Sequence, residues 1–88
     1  METRKKNKKN TYEGNIKVLG KRIAEERKKK GLTQNQLAEL CQLSLPNIKR
    51  VEKGENFTIS SLLAIQEALR IKGTELMQGI WVTLRELD

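Results

Sequence analysis

Residues 33–54 read TQNQLAELCQLSLPNIKRVEKG, and the end signals in this stretch divide it into two short helices. Thr33 and Gln36 form a capping box: the threonine hydroxyl can accept the amide three residues on, while the glutamine side chain reaches back to the threonine amide. This predicts a helix over about 34–41. Leu37, Ala38 and Cys41 fall at i, i+1 and i+4 on its inner side, and the small Ala38 lets a neighbouring helix come close. Cys41 reads as a small core residue. Ser44 is a second N-cap, and Pro46 follows in the first turn, where amide hydrogens have no intrahelical acceptor and a missing one costs little. Ile48, Val51 and Glu52 make the inward stripe of this next helix, and Gly54 supplies a left-handed residue just past its end. The spacing predicts a helix over about 45–53.

Outward from this pair the same periodicity gives three more helices. Ile16, Leu19, Ile23 and position 27 recur at helical spacing, predicting a helix over about 16–30 that Gly31 stops after three lysines. Thr58 caps a helix over about 59–69 whose apolar face contains Ile59, Leu62, Leu63, Ile65, Ala68 and Leu69. A short fifth helix is expected over about 73–78. In residues 79–88, Ile80/Val82/Leu84 alternate as in a strand while Ile80/Leu84/Leu87 share a helical face, so both readings stand. Residues 1–15 have no periodic apolar positions and are rich in Lys and Asn, which predicts a disordered basic arm. The division is therefore an arm at 1–15, a compact all-α five-helix domain at 16–78 and a C-terminal extension at 79–88.

Composition narrows the functional classes. The chain has 88 residues, no His and one Cys, which removes a Ser/His or Cys/His nucleophile pair, a structural zinc site and an internal disulfide. No glycine-rich phosphate loop is present, so neither an enzyme nor a cofactor or metal site is expected. The longest apolar run, Leu62–Ile65, is far below the ~20 residues that span a bilayer, and no secretory signal pattern opens the chain. A cytoplasmic protein without a membrane role is expected. The net charge of +7 is unevenly spread: residues 1–15 sum to +3, residues 16–30 to +5 and residues 31–88 to −1. Excess positive charge gathered in the first third suits a polyanionic partner, although a solvated lysine-rich face would have the same composition.

Two capped helices joined by the brief Gln42-Leu43 turn and preceded by a basic helix have the outline of a helix-turn-helix. Through LGKRIAEERKKKGLTQNQLAEL at 19–40 and LSLPNIKRVEKG at 43–54, the segment Leu19 to Gln78 resembles the Cro and phage-repressor type (lambda-repressor-like) helix-turn-helix family. The linked features are Arg27, Leu32-Thr33-Gln34, Leu37-Ala38, Ser44, Ile48 and Glu52-x-Gly54. Two positions depart from the family pattern. Gln42 stands where the turn usually has glycine, which asks a residue with a β-carbon to take a left-handed backbone. Leu45-Pro46 stands where polar side chains often reach base edges, which weakens hydrogen-bond readout at the helix start.

Arg27 lies on the apolar stripe of the first helix and Glu52 on the inward face of the third, and the resemblance implies that they pair as a structural ion pair. It also implies that the third helix enters a major groove of double-stranded DNA. Candidate DNA contacts are Ser44, Leu45, Pro46, Asn47, Lys49 and Arg50, with Gln34 on a phosphate. Arg50 is the leading base reader, because its planar fork fits guanine O6 and N7 together; Lys49 suits a base or a phosphate, and Leu45 a thymine methyl. Leu76, Met77, Ile80, Trp81, Leu84 and Leu87 exceed what a five-helix core needs, which favours a homodimer through the C-terminal segment, with Trp81 completing its own core as the alternative.

The expected function is that of a sequence-specific double-stranded DNA-binding transcriptional regulator, a repressor or small controller acting as a homodimer. An antitoxin-like protein whose C-terminal segment engages a protein partner, with autoregulatory DNA binding, is the second reading. A general RNA or polyanion binder that does not need Arg50 is the third.

Overall fold

A computed structural model describes the backbone of residues 2–80 and the side chains of residues 14–80. It contains five helices, α1 (Glu2–Lys29), α2 (Gln34–Cys41), α3 (Leu45–Lys53), α4 (Ile59–Leu69) and α5 (Gly73–Leu76), and no strand among the described residues. The middle three match the spacing and cap signals residue for residue. Thr33 accepts the Gln36 amide at 3.0 Å while the Gln36 side chain accepts the Thr33 amide at 2.9 Å. Ser44 accepts the Asn47 amide, and Thr58 that of Ser61. Gly54 ends α3 in the left-handed region at φ 80°.

The core gathers Leu19 and Ile23 of α1, Leu37 and Ala38 of α2, Ile48 and Val51 of α3, Ile65 and Leu69 of α4, then Leu76 and Ile80. Cys41 packs partly buried at its edge, and burial pushes its thiol up, so it serves as a protonated packing group. Gly20 sets how closely α1 and α3 cross. A β-carbon there would collide with the Val51 carbonyl oxygen and stand 3.0 Å from that of Glu52. Only glycine lets the α1 backbone rest directly on the last turn of α3. At the other end, Arg22 donates to the Leu76 carbonyl at 2.7 Å and so ties α5 back to α1.

Four expectations change. The first helix begins at Glu2 rather than Ile16, so residues 2–15 have helical backbone where an arm without structure was expected. An apolar repeat signals burial rather than helix as such, whereas Lys, Arg and Glu favour helix on their own and no proline intervenes. The fifth helix ends at Leu76, before the expected Gln78. Ile59 and Leu63 are 69% and 57% exposed, because α4 is apolar on both sides and only one side can face α1 and α2. Finally, Leu76 and Ile80 are buried in their own core with Met77 packed against it, so these three are not surplus apolar surface. Trp81, Leu84 and Leu87 lie outside the described residues.

Candidate nucleic-acid interface

The site is built on a node that fixes α3. The Arg27 guanidinium grips Glu52 with two bonds, Nε to Oε2 at 2.7 Å and Nη2 to Oε1 at 3.2 Å. Its remaining arm, Nη1, donates to the Leu32 carbonyl at 2.7 Å. The two side chains are 11% and 7% exposed, so both charges are largely out of water and each depends on the other. Gln34 completes the node, its Nε2 donating to Glu52 Oε1 at 3.0 Å. One carboxylate thus joins the end of α1, the start of α2 and the last turn of α3. Sequence spacing placed Arg27 and Glu52 on inward faces, but it gave no sign that Gln34 would share their carboxylate.

The turn between α2 and α3 holds their relative angle. Gln42 takes φ 58°, and its amide and that of Leu43 close back on the Glu39 and Ala38 carbonyls. The left-handed residue expected at Gln42 is present without glycine. The start of α3 is fixed by Ser44 and by Asn47, whose Nδ2 donates to the Ser61 hydroxyl at 3.3 Å; Ser61 is buried at the head of α4.

With its ends fixed, α3 divides sharply. Ile48 and Val51 are fully buried, while Pro46, Lys49, Arg50 and Lys53 are exposed. Helical spacing gathers Pro46, Lys49, Arg50 and Lys53 at i, i+3, i+4 and i+7, an outward stripe with three cations. Lys53 was not among the expected contacts, although the same spacing would have found it. Arg50 has one loose neighbour, Glu55, at 4.0 Å with both side chains at least half exposed, an interaction too weak to hold it.

Of the expected contact residues, the structure brings Pro46, Lys49 and Arg50 together on this stripe, with Ser44 exposed at its head. Leu45 is half-buried at the edge. Asn47 and Gln34 are half-buried, with amide nitrogens turned to Ser61 and Glu52. Among the described residues, no group of three His, Cys, Asp or Glu side chains could hold a metal, and no helix is long and apolar enough to cross a membrane.

A family model described as Helix-turn-helix matches residues 23–76, from Ile23 in α1 through the end of α5, which is more than half of the chain. The chain belongs to the Cro and phage-repressor type helix-turn-helix family. Within the matched segment, α2 and α3 are the helix-turn-helix pair, and the stripe of Pro46, Lys49, Arg50 and Lys53 is the exposed side of its second helix. Among solved structures, a point mutant of the restriction-modification controller protein C.Esp1396I is similar, with a TM-score of 0.67 and 25% sequence identity. The likeness covers 84% of this chain and 95% of the controller protein. A comparison with curated proteins returned no match.

Proposed function

We propose that this DNA-binding regulator of transcription reads a specific double-stranded site as a homodimer, laying α3 in the major groove of each half-site. It would act as a repressor or a small controller of the kind named by its structural relative. The observation that carries this reading is the outward stripe of α3, with Arg50 exposed between Lys49 and Lys53 on a helix whose buried side is fixed by Ile48, Val51 and the Glu52 node. A rigid helix presenting an exposed guanidinium, held only loosely by Glu55, suits paired bonds to a guanine edge.

Lys49 and Lys53 take a base edge or flanking phosphates, and Leu45 and Pro46 give apolar contact to a thymine methyl at the helix start. The Ser44 hydroxyl accepts the Asn47 amide, and its proton stays available to a phosphate. Gln34 has a second amide hydrogen beyond the one given to Glu52, and this is the group we assign to a phosphate. Asn47 contributes by fixing α3 to α4. A homodimer doubles the few bases one α3 can reach, with half-sites about 34 Å apart.

The test is selection of bound sequences from a random duplex pool at about 150 mM salt, where screening suppresses non-specific attraction, with wild-type and Arg50→Ala protein side by side. An enriched palindrome that loses definition at one base pair per half-site in the variant is the expected result. Binding without enrichment, fading as salt rises, would replace this reading with that of a general polyanion binder.

A further inference from the structure

The outer side of α4 is built differently from every other exposed helical face described. Ile59, Leu63, Gln66, Glu67 and Arg70 fall at i, i+4, i+7, i+8 and i+11, opposite the buried Ser61, Ile65 and Leu69. Leu63 is 57% exposed at the middle of this row, and Leu40 is 58% exposed at the end of α2. Between the two helices lies an open hollow of about 370 Å³, floored by Cys41, Ala64 and Ala68 and rimmed by Leu40, Glu67 and Arg70. A second hollow of about 350 Å³ borders Leu63 and shares Glu67 and Arg70 with the first. The patch therefore carries a knob, holes beside it and one charge of each sign.

We infer that this face binds a second copy of the same face, the outer sides of two α4 helices packing antiparallel about a two-fold axis. Self-complementarity is what selects this occupant. A two-fold contact brings a patch against itself, so each copy must offer both the projection and the recess, and both the acid and the base. Leu63 is the projection, the hollow floored by Ala64 and Ala68 is the recess, and Glu67 and Arg70 are the acid and the base. In the antiparallel arrangement the Leu63 end of one helix meets the Arg70 end of the other, so Glu67 of each copy can reach Arg70 of its mate. The contact leaves Pro46, Lys49, Arg50 and Lys53 of both copies uncovered, since these lie on α3 and none lines either hollow. The inference rests on the homodimer proposed above and names its surface.

The experiment is sedimentation equilibrium of the full chain over a wide concentration range, for wild-type, Leu63→Glu, Glu67→Arg, Arg70→Glu and the doubly reversed Glu67→Arg/Arg70→Glu protein. Circular dichroism of each confirms the helical fold, which these exposed positions do not hold together. We expect a dimeric wild type, a dissociation constant raised at least about tenfold by Leu63→Glu and by either single reversal, and recovery in the double reversal. A dimeric wild type whose dissociation constant is unmoved by these substitutions would overturn the α4 surface and leave the homodimer standing. A wild type that stays monomeric, alone and on its selected DNA site, would overturn the homodimer and this surface together.

Discussion

Helices α3 and α4 are of similar length, begin at the same kind of hydroxyl cap and bury the same kind of aliphatic stripe, yet they show water opposite surfaces. The outer side of α3 is Pro46, Lys49, Arg50 and Lys53; that of α4 is Ile59, Leu63, Gln66, Glu67 and Arg70. Each inner stripe is the residue set that folding requires. The outer sets are free of that requirement, so they report what each helix meets. A cationic stripe with a planar donor suits a polyanion with base edges, and an apolar ridge with balanced charge suits another protein surface. The comparison teaches that function in so small a fold is written on the faces the core does not use.

The comparison holds only if the inner side of α3 is fixed, and the largest effect should come from breaking that. Arg27→Ala takes the cation from the Glu52 carboxylate, which is 7% exposed in the intact pair, and this should cost about 3–5 kcal/mol of stability. For a domain whose total stability is of order 5–15 kcal/mol, this is a large share, and it should appear in urea unfolding as a much lower midpoint with DNA binding lost alongside. The double variant Arg27→Met/Glu52→Leu should recover much of the loss, because no charge is then left buried. If Arg27→Ala unfolds like wild type, the node does not hold α3.

Gly20→Ala tests the same inner side by shape. In an exposed helix the change would stabilise by about 1 kcal/mol, from propensity alone. Here the new methyl meets the Val51 carbonyl across the α1–α3 crossing, and displacing packed backbone should cost about 1–3 kcal/mol, which reverses the sign. A thermal melt that rises on Gly20→Ala would show that the two helices can part without cost.

Much of this architecture was legible in the sequence, and what was not has physical reasons. Thr33, Ser44 and Thr58 mark their helices because an N-cap works through neighbours a few residues away, so the chain carries the whole signal. The start of α1 was misplaced because apolar repeats report tertiary burial, whereas residues 2–15 carry only local helix propensity. The exposed side of α4 was hidden for the complementary reason: Ile59 and Leu63 look like core residues, and only the finished packing shows which of the two sides that carry aliphatic residues is covered. In the candidate site, spacing placed Lys49 and Arg50 outward, but the commitments of Gln34 to Glu52 and Asn47 to Ser61 join residues distant in sequence. Arg70 in a left-handed conformation at the end of α4 was likewise invisible, since glycine is the usual mark of such a position.

The outer side of α3 should yield smaller, cleaner effects. Arg50→Ala removes no buried contact, so its thermal midpoint should match wild type, while discrimination at one base pair per half-site falls by about 1–3 kcal/mol. Lys53→Ala should instead weaken all sequences alike and lower the slope of log K against log salt by about 0.9 per lost phosphate contact. Fluorescence anisotropy across a salt series, on the selected site and a scrambled one, separates the two. If both variants change the slope alike and neither changes preference, the stripe is only a phosphate contact and the contrast with α4 weakens.

The smallest effect concerns the turn that sets the angle of α3. Gln42 sits at φ 58°, where a β-carbon crowds the following carbonyl and glycine does not, a difference of about 1 kcal/mol. Gln42→Gly removes that strain but also loosens the unfolded chain, which takes back roughly 0.4–1 kcal/mol. Stability should therefore rise by a few tenths of a kcal/mol at most, within reach of paired denaturant curves. DNA affinity should hold, because the Leu43 amide still closes on Ala38, and Ser44, Asn47 and Glu52 still fix both ends of α3. An affinity that falls while stability rises would mean that the glutamine side chain, rather than its backbone angle, contributes to the DNA-bound form.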